Sequence, residues 1–313
     1  MRILIVGMGA VGTMHGWALS EAGHEVTHLI HKGRSEVYKH GLRLDIYDLR
    51  KGHSEQQLLT YQPPLTEEPR DECDLIVVPT KSYQAAEAVR TLKDAVPKAS
   101  FLMFTANWDG PQAIDALLLR SRYVWGYSAS TGGFSGQTLV ANIQNCFRIG
   151  RIKGNDELLL QWVIEAFGKA DIGPDFKENI IEWLWVHQAL VAGMVAAAFY
   201  AGGLGELYSN TAMMRDYWIP ATCEALQIVE KRGVAIAQYP DAEPFITKAL
   251  IEQTIANNLK WAQTTWVKRV IDAGHHKTNP DEMRNFFREV YETGEKLRVS
   301  MPILNRCKEK VFS

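Results

Sequence analysis

The first twelve residues, MRILIVGMGAVG, constrain the fold of this chain more than any other stretch. Residues 2–6 form a short, mostly apolar run rich in β-branched side chains, which predicts a buried strand. Gly7, Gly9 and Gly12 follow at once in the G-x-G-x-x-G spacing. This spacing after a strand and before a helix is typical of a turn whose backbone N–H groups bind a diphosphate.

Each glycine of this turn has a separate predicted role. Gly7 permits the tight turn, Gly9 lets a diphosphate approach the backbone because it lacks a Cβ, and Gly12 lets the next helix pack on the sheet. The helix predicted from about Ala10 to Ala22 would direct its unpaired N–H groups at the phosphates. The residues predicted to bind the dinucleotide here are Gly7, Met8, Gly9, Ala10, Val11 and Gly12.

The turn after the second strand tests which dinucleotide binds. This strand, predicted over residues 25–30, completes a β-α-β unit. An NAD site usually carries Asp or Glu at its end, for the ribose 2′-hydroxyl. Here His31, Lys32 and Arg34 stand there, and no carboxylate follows until Glu36. Because cationic side chains suit a 2′-phosphate, we predict NADPH as the cofactor, with an ordinary solvated basic turn as the alternative.

Length and composition indicate a globular protein of about two domains, since the chain has 313 residues and a hydrophobic content of 46%. The net charge of −2 does not indicate a nucleic acid or membrane partner. The four cysteines are far apart, which argues against a zinc site or disulfide framework. The same cysteine spacing suits a reducing cytoplasm, which is the location we expect. The N-terminal apolar run is too short and too glycine-rich for a signal peptide. The uncharged run at 189–205 is shorter than the ~20 residues that span a bilayer, which predicts a buried helix instead.

Strands alternate with helices through the first half of the chain. Further strands are predicted over residues 41–49, 57–61, 73–78, 101–105 and 123–128, and a helix over residues 84–92. This alternation predicts a doubly wound parallel sheet of the Rossmann type. Ligands of such sheets bind beyond the carboxyl ends of the strands. Lys81, Asn107 and the glycine-rich loop at Gly132 fall at or just after such ends, so we place them in the predicted site.

The pattern changes to long helical periods from about Asp156, and strand signals end. Helices are predicted over residues 157–168, 179–200, 213–232, 242–273 and 280–295. We therefore predict an α/β cofactor domain of residues 1–153 and an all-α substrate or dimerisation domain of residues 154–313. Small residues at 196–203 would allow close helix packing within the chain or in a homodimer.

Six stretches, in order along the chain, resemble the ketopantoate reductase (2-dehydropantoate 2-reductase) family. They are residues 7–12, 80–84, 106–110, 130–133, 183–187 and 299–302. The resemblance covers nearly the whole chain, and its second and third stretches together are the most specific. It implies a Rossmann domain followed by a helical domain, with the active site in the cleft between them. It also implies NADPH-dependent reduction of a 2-keto acid to a 2-hydroxy acid, as in pantothenate biosynthesis.

The resemblance implies roles for single residues. Lys81 matches a lysine that contacts the cofactor, and Asn107 matches the asparagine beside nicotinamide and substrate. The family's catalytic lysine is replaced by Trp183, and the asparagine four residues later by His187. We hypothesise that a protonated His187 contacts the substrate and acts as the general acid. The alternative is a core histidine of a helical domain.

Two further family positions fall in the late helices. Thr264 or Thr265 stands for a serine, and we predict that Thr264 contacts the substrate. The family's glutamate matches Glu282, if an insertion lies near residues 275–279, or falls near His276. His275 and His276 are adjacent and lack further spaced ligands, so we predict no metal site.

Three functions remain for such a chain. The first is an NADPH-dependent oxidoreductase that reduces ketopantoate or a related 2-keto acid. The second is a non-catalytic NADPH-binding sensor or partner-binding protein that keeps the fold and has lost the acid. The third is a two-domain dehydrogenase of opines or 3-hydroxy acids, against which the combination of Lys81 and Asn107 argues. Turnover of a 2-keto acid separates the first from the second.

Overall fold

The computed structural model describes residues 1–52, 55–69, 73–273 and 280–313, so His275 and His276 lie outside the described residues. The chain divides into two compact units, Met1–Ile181 and Glu182–Ser313. This division falls later than the boundary predicted within residues 150–155. The reason is a strand at Gly173–Lys177, which joins the N-terminal sheet.

The N-terminal unit is built on two sheets. Its strands are β1 (Arg2–Val6), β2 (Glu25–Leu29), β3 (Leu42–Asp48), β4 (Glu55–Tyr61), β5 (Leu65–Thr66), β6 (Leu75–Val78), β7 (Ser100–Phe104), β8 (Tyr123–Ser128), β9 (Thr131–Ser135), β10 (Thr138–Ile143), β11 (Cys146–Gly150) and β12 (Gly173–Lys177). The larger sheet has the order β12-β11-β8-β7-β6-β1-β2-β5 and the smaller one β4-β3-β10-β9. All pairs of the larger sheet are parallel except β8 with β11.

The helices of this unit are α1 (Ala10–Glu21), α2 (Ser35–Tyr38), α3 (Ser82–Leu92), α4 (Gln112–Asp115) and α5 (Glu157–Gly168). Four of these helices lie between strands of the larger sheet, and α2 lies between β2 of the larger sheet and β3 of the smaller one. The four residues of β6 are all buried, as expected for a parallel strand covered by helices on both faces. The predicted α/β class with a doubly wound, mostly parallel sheet is therefore confirmed.

Two predictions about strands were wrong. Residues 131–133, predicted as a glycine-rich loop, belong to β9, where Gly132 stands opposite Ala141 of β10. A Cβ at Gly132 would lie 2.5 Å from the Cβ of Ala141, so close strand pairing requires this glycine. The strands themselves do not end before Asp156 either, because β12 pairs with β11 after the α5 crossover. The sequence of β12, GPDFK, lacks the β-branched residues that would announce a strand.

A buried ion-pair cluster joins β3 to α1 in this unit. The Arg50 guanidinium donates to Asp48 at 2.8 and 3.0 Å, to Glu21 at 3.0 Å and to the Ala170 carbonyl at 3.1 Å. It also lies 4.7 Å from the centroid of the Trp17 ring. The cluster therefore links segments that are far apart in the sequence.

The described residues of the second unit form helices joined by loops, with no strand among them, as predicted. The helices from residue 180 onward are α6 (Ile180–Ala201), α7 (Leu204–Ser209), α8 (Thr211–Met213), α9 (Ile219–Lys231), α10 (Glu243–Ile246), α11 (Ile251–Ala262), α12 (Thr265–Ala273), α13 (Pro280–Lys296) and α14 (Pro302–Phe312). The single helix predicted over residues 242–273 was wrong, since α10, α11 and α12 are separate. A π-helical turn at Met214–Trp218 likewise interrupts the helix predicted over residues 213–232.

Helix α6 carries the long apolar run of the second half of the chain. By length and composition it is apolar enough to cross a membrane, and 56% of its most apolar window is buried within the protein. A Cβ at Gly193 would lie 2.3 Å from the Thr222 hydroxyl of α9, so the two helices pack closely at this point. This packing agrees with the predicted buried helix at 189–205, because the core helix of a globular protein passes the same composition test.

Candidate functional site

The carboxyl ends of five neighbouring strands form one edge of the larger sheet. Across this edge the order is β7, β6, β1, β2 and β5, and all four pairs are parallel. Strand β1 stands where the chain order reverses, with β2 on one side and β6 on the other. In doubly wound sheets this switch point is where a crevice for a ligand opens. The segments at this edge therefore form the candidate site of the N-terminal unit.

The glycine turn between β1 and α1 has the backbone that its spacing predicts. Gly7 has a φ of +86°, and its N–H donates to the Leu29 carbonyl at 2.7 Å. Gly9 precedes the first residue of α1, and a Cβ there would meet no atom within 4 Å. A Cβ at Gly12 would lie 3.1 Å from both Ile5 and Pro79. Gly9 thus faces open space where a ligand can approach, and Gly12 faces the sheet.

The neighbouring residues of this turn contribute backbone more than side chains. Met8 is buried, while Ala10 and Val11 are half-buried in the first turn of α1. This turn contains no acidic side chain, and no side chain caps the helix. The first N–H groups of α1 are therefore left to an external acceptor, and the macrodipole favours an anion there.

A buried histidine that the sequence analysis missed supports the glycine turn. Nδ1 of His28 lies 2.8 Å from the Gly7 carbonyl oxygen, and its Nε2 lies 3.1 Å from the Tyr61 hydroxyl. Since a carbonyl only accepts, Nδ1 carries the proton and Nε2 accepts from Tyr61. Burial lowers the pKa of His28 to about 4, so the ring is neutral near pH 7. No local sequence motif predicts this contact, because His28, Gly7 and Tyr61 lie in three separate segments of the chain.

Three buried polar atoms near this edge have no hydrogen-bond partner in the described part of the chain. One is Nδ2 of Asn107, which follows β7; the side-chain Oδ1 of the same residue accepts the Gly110 N–H at 2.8 Å. The others are the hydroxyls of Thr13 in α1 and Thr80 after β6. Because they lie near the strand ends where a ligand crevice opens, these atoms are available to a ligand that forms hydrogen bonds there. Thr13 and Thr80 were not predicted as site residues.

Lys81 follows Thr80 at the start of α3. Its backbone is extended, with φ −61° and ψ 149°, and residue 82 begins the helix. Its ammonium lies 5.8 Å from the centroid of the exposed Tyr83 ring. The lysine is thus at the end of β6, as the sequence predicts. Gly132, by contrast, is explained by strand pairing in the smaller sheet.

The basic turn after β2 is exposed, and a carboxylate from another segment is hydrogen-bonded to it. His31, Lys32 and Arg34 are all exposed, and Gly33 between them has a φ of +78°. Glu67, directly after β5, accepts hydrogen bonds from the Ser35 N–H and the Ser35 hydroxyl. The sequence analysis missed Glu67 because the two-residue β5 follows two prolines and has no pattern of its own.

The predicted catalytic positions of the second unit lie on the first turns of α6. The rings of Trp183 and His187 stack with centroids 4.9 Å apart and planes 14° apart. Trp183 is only 2% exposed, and its indole N–H donates to Asp241 at 2.7 Å. Trp183 is therefore a packed residue whose only donor is bound to Asp241. His187, one turn further on, is half-buried.

The remaining predicted residues lie on other helices of this unit. Thr264 is exposed between α11 and α12, and its hydroxyl donates to the Trp261 carbonyl at 2.7 Å. Glu282 is half-buried in the first turn of α13. Gln188, the residue after His187, donates to Glu289 of α13. The contact shows that α6 and α13 approach each other near His187.

The described residues contain no group of three or more His, Cys, Asp or Glu side chains that could hold a metal ion. The four cysteines form no disulfide bond within the described chain.

Comparison with known proteins agrees with this geometry. Residues 3–145 match the family model described as ketopantoate reductase PanE/ApbA. The chain is 26% identical over 287 residues to a 2-dehydropantoate 2-reductase of Pyrococcus abyssi, with 85% of each chain covered.

Two solved structures share the fold over the full length. A 2-dehydropantoate 2-reductase from Geobacter metallireducens superposes with a TM-score of 0.74 at 14% identity, covering 100% of this chain and 99% of the other. A ternary structure of D-mandelate dehydrogenase with NADH and anilino(oxo)acetate gives 0.70 at 16% identity, covering 100% and 97%.

Proposed function

We propose that this chain is an NADPH-dependent reductase of 2-keto acids, on the premise that residues 3–145 match the family model described as ketopantoate reductase PanE/ApbA. The relative from Pyrococcus abyssi is named for 2-dehydropantoate, which makes ketopantoate the first substrate to test. Related 2-keto acids follow, because the D-mandelate dehydrogenase of similar fold is recorded with an oxo-acid compound.

The order of groups along the sheet edge fits an extended dinucleotide. From β7 to β5 there are four strand intervals, a span of roughly 19 Å at the usual strand spacing. A bound nicotinamide supplies the hydride in this class of reaction. The amides of the Gly7–Gly12 turn bind the diphosphate at the middle of the edge. Lys32 and Arg34 bind the 2′-phosphate toward one end, and Asn107 lies toward the other.

The observation that carries the proposal is the buried amide of Asn107. Oδ1 is occupied by the Gly110 N–H, which fixes the side chain and directs Nδ2 as a donor. Nδ2 is buried and has no acceptor in the described part of the chain. A carbonyl oxygen of the nicotinamide carboxamide or of the substrate would satisfy it. A positioned donor at a carbonyl that gains negative charge in the transition state lowers the barrier.

The substitution Asn107→Asp tests this role with little change in shape. It keeps the oxygen that accepts from Gly110 and removes the unpaired donor. We expect kcat/KM for 2-keto acid reduction to fall by about 10²-fold or more, which is typical of losing one such donor. The measurement is the rate of NADPH oxidation over a panel of 2-keto acids that includes ketopantoate.

Asn142 provides a matched control in the smaller sheet. It is also buried, its Oδ1 also accepts a backbone N–H, from Thr131 at 3.1 Å, and its Nδ2 also lacks a partner in the described chain. Asn142→Asp therefore introduces the same buried carboxylate away from the sheet edge. If both variants lower kcat/KM equally, the effect is on stability and Asn107 has no special role.

We further propose His187 as the proton donor to the substrate oxygen. It is half-buried, stacks on Trp183 and lies one helical turn after the position of the family lysine. His187→Ala should reduce the rate by roughly 10²–10⁴-fold, the usual range for a general acid, and leave NADPH binding unchanged. Trp183→Phe is the control, because it preserves an aromatic ring beside position 187. An unchanged rate in His187→Ala would remove this residue from the mechanism.

One observation favours the alternative function, a nucleotide-binding sensor without catalysis. Trp183 replaces the lysine and is fully packed, with its N–H bound to Asp241. NADPH binding without oxidation by any 2-keto acid would support this alternative. We also propose a cytoplasmic location, since the cysteines of the described chain form no disulfide bonds, as is usual in a reducing compartment.

A further inference from the structure

Strand β5 brings an acidic residue, Glu67, to the basic turn after β2. This residue comes from outside the β-α-β unit formed by β1, α1 and β2. β5 pairs in parallel with β2, with His28 opposite Leu65 and Leu29 opposite Thr66. The Ile30 N–H continues the ladder to the Thr66 carbonyl at 2.8 Å. Glu67 follows directly, so its carboxylate lies beside the turn that comes after β2. This is the region where Rossmann proteins contact the adenosine ribose.

The Glu67 carboxylate is held by specific donors of that turn. Oε1 accepts from the Ser35 N–H at 3.2 Å and from the Ser35 hydroxyl. The Gly33 N–H donates to the same carboxylate, and the Lys32 charge is close enough to act on it. The Ser35 hydroxyl bond, followed by the bonds from the Gly33 and Ser35 amides, lowers the pKa of Glu67, so it is ionised at neutral pH. The turn therefore already binds one anionic group.

These donors are the groups that a 2′-phosphate would need. A phosphate and a carboxylate both accept hydrogen bonds from amides and hydroxyls and both pair with lysine. They cannot share the same donors, because two anions at this distance repel each other. The uncharged ribose 2′-hydroxyl of NADH, in contrast, can donate a hydrogen bond to the carboxylate. The same turn thus offers cations for one cofactor and a carboxylate for the other.

We propose that Glu67 is a specificity-determining residue that favours NADH and that the 2′-phosphate of NADPH must displace. The inference rests on the proposed function, because it assumes that the turn binds the adenosine ribose of a nicotinamide dinucleotide. It makes the chain a reductase that accepts both cofactors, with the basic residues favouring NADPH and Glu67 opposing them.

The substitution Glu67→Gln tests the inference by direct calorimetric titration of the full chain with NADPH and with NADH. Removing the charge should strengthen NADPH binding and weaken NADH binding. We expect the ratio of the NADH Kd to the NADPH Kd to rise roughly tenfold or more, the scale of one hydrogen bond to a charged group. Glu68→Gln, which removes the same charge one residue away, should leave the ratio unchanged.

The outcomes separate the inference from the proposed function. If the wild-type chain binds neither nucleotide, the proposed function fails and the inference fails with it. If it binds them and Glu67→Gln shifts both affinities equally, Glu67 only supports the turn and the specificity role is overturned. An equal change of the ratio in Glu68→Gln would also overturn it, since the effect would then be general electrostatics.

Ser35→Ala gives a second test that does not depend on the folding of the glutamine variant. The Ser35 hydroxyl donates to Glu67 in the free protein and is available to a 2′-phosphate once Glu67 moves away. Its loss should weaken NADPH binding severalfold, on the scale of one hydrogen bond, and leave NADH binding almost unchanged. Equal weakening of both nucleotides would contradict the inference.

Discussion

Replacing Arg50 by methionine should destabilise the N-terminal unit far more than the loss of an ordinary salt bridge. The Arg50 and Asp48 side chains are only 5% and 7% exposed, and their N–O distance is 2.8 Å. Methionine retains apolar contact with Trp17 but removes the guanidinium that pairs with Asp48. Among the described residues, the hydrogen bonds left to the carboxylate come from the backbone N–H of residue 50 at 3.0 Å and the Gln57 amide at 3.3 Å.

The magnitude follows from the cost of leaving one charge buried. Breaking a buried ion pair by removing one partner costs about 3–5 kcal/mol, because the other charge loses its compensation. A domain of this size loses about 2–4 °C of Tm per kcal/mol, so a fall of about 6–20 °C is expected. Urea unfolding followed by circular dichroism gives the free energy, and a thermal scan gives the Tm.

Two further variants make the result decisive. Arg90→Met removes the arginine of the exposed Arg90–Glu87 pair on α3, which should cost less than about 1 kcal/mol. The double variant Asp48→Leu with Arg50→Met removes both buried charges and should recover most of the lost stability. If Arg50→Met costs no more than Arg90→Met, the reasoning is refuted.

Acid should weaken the same pair. Burial raises the pKa of Asp48, but the hydrogen bonds and charge of Arg50 lower it by more, so the net direction is down. The pair therefore stabilises the fold fully above the unfolded Asp pKa near 4, and this contribution is lost as the pH falls through the lower folded value.

The other predictions concern the glycine turn and its histidine. Gly12→Val should lower the free energy of unfolding by about 1–3 kcal/mol, because its Cβ would lie 3.1 Å from the sheet. A Cβ at Gly9 would meet no atom within 4 Å, so Gly9→Val should unfold in urea like the wild type but bind NADPH more weakly in calorimetry. A loss of stability in Gly9→Val, or a loss of NADPH affinity alone in Gly12→Val, would contradict the two roles. Burial lowers the pKa of His28 from 6.5 to about 4. The neutral ring therefore contributes fully to the stability of the fold above pH 6.5, and about 3 kcal/mol of stability is lost as the pH falls toward 4. His28→Gln should therefore show a shallower loss of stability over that range, and an unchanged slope would show that His28 does not titrate on unfolding.

The sequence alone predicted the features that are local along the chain. The β1–glycine–α1 turn could be read directly, since three glycines at fixed spacing after an apolar run allow few backbone paths. Helix α5 was predicted at Glu157–Gly168, its observed bounds, because apolar side chains recur at helical spacing after the Asp156 cap. Asn107 and Lys81 could be placed at strand ends for the same reason.

Features that depend on pairing between distant segments needed the tertiary structure. Strands β9 and β12 exist because a neighbouring strand accepts their hydrogen bonds, and their own sequences do not announce them. The bond from Trp183 to Asp241 spans 58 residues, so the fate of the indole donor could not be read from the helix.

The basic turn after β2 shows most clearly which features the sequence predicts and which ones need the tertiary structure. From the sequence, its charges are those of His31, Lys32 and Arg34, because only residues adjacent along the chain could be assigned to it. In the folded protein, the pairing of β5 with β2 adds Glu67, which is 32 residues away from the Ser35 that it contacts. Local sequence therefore predicted the glycine turn and the basic turn after β2, whereas sheet pairing decided that a carboxylate stands at that basic turn, since strand order brings together what the chain separates.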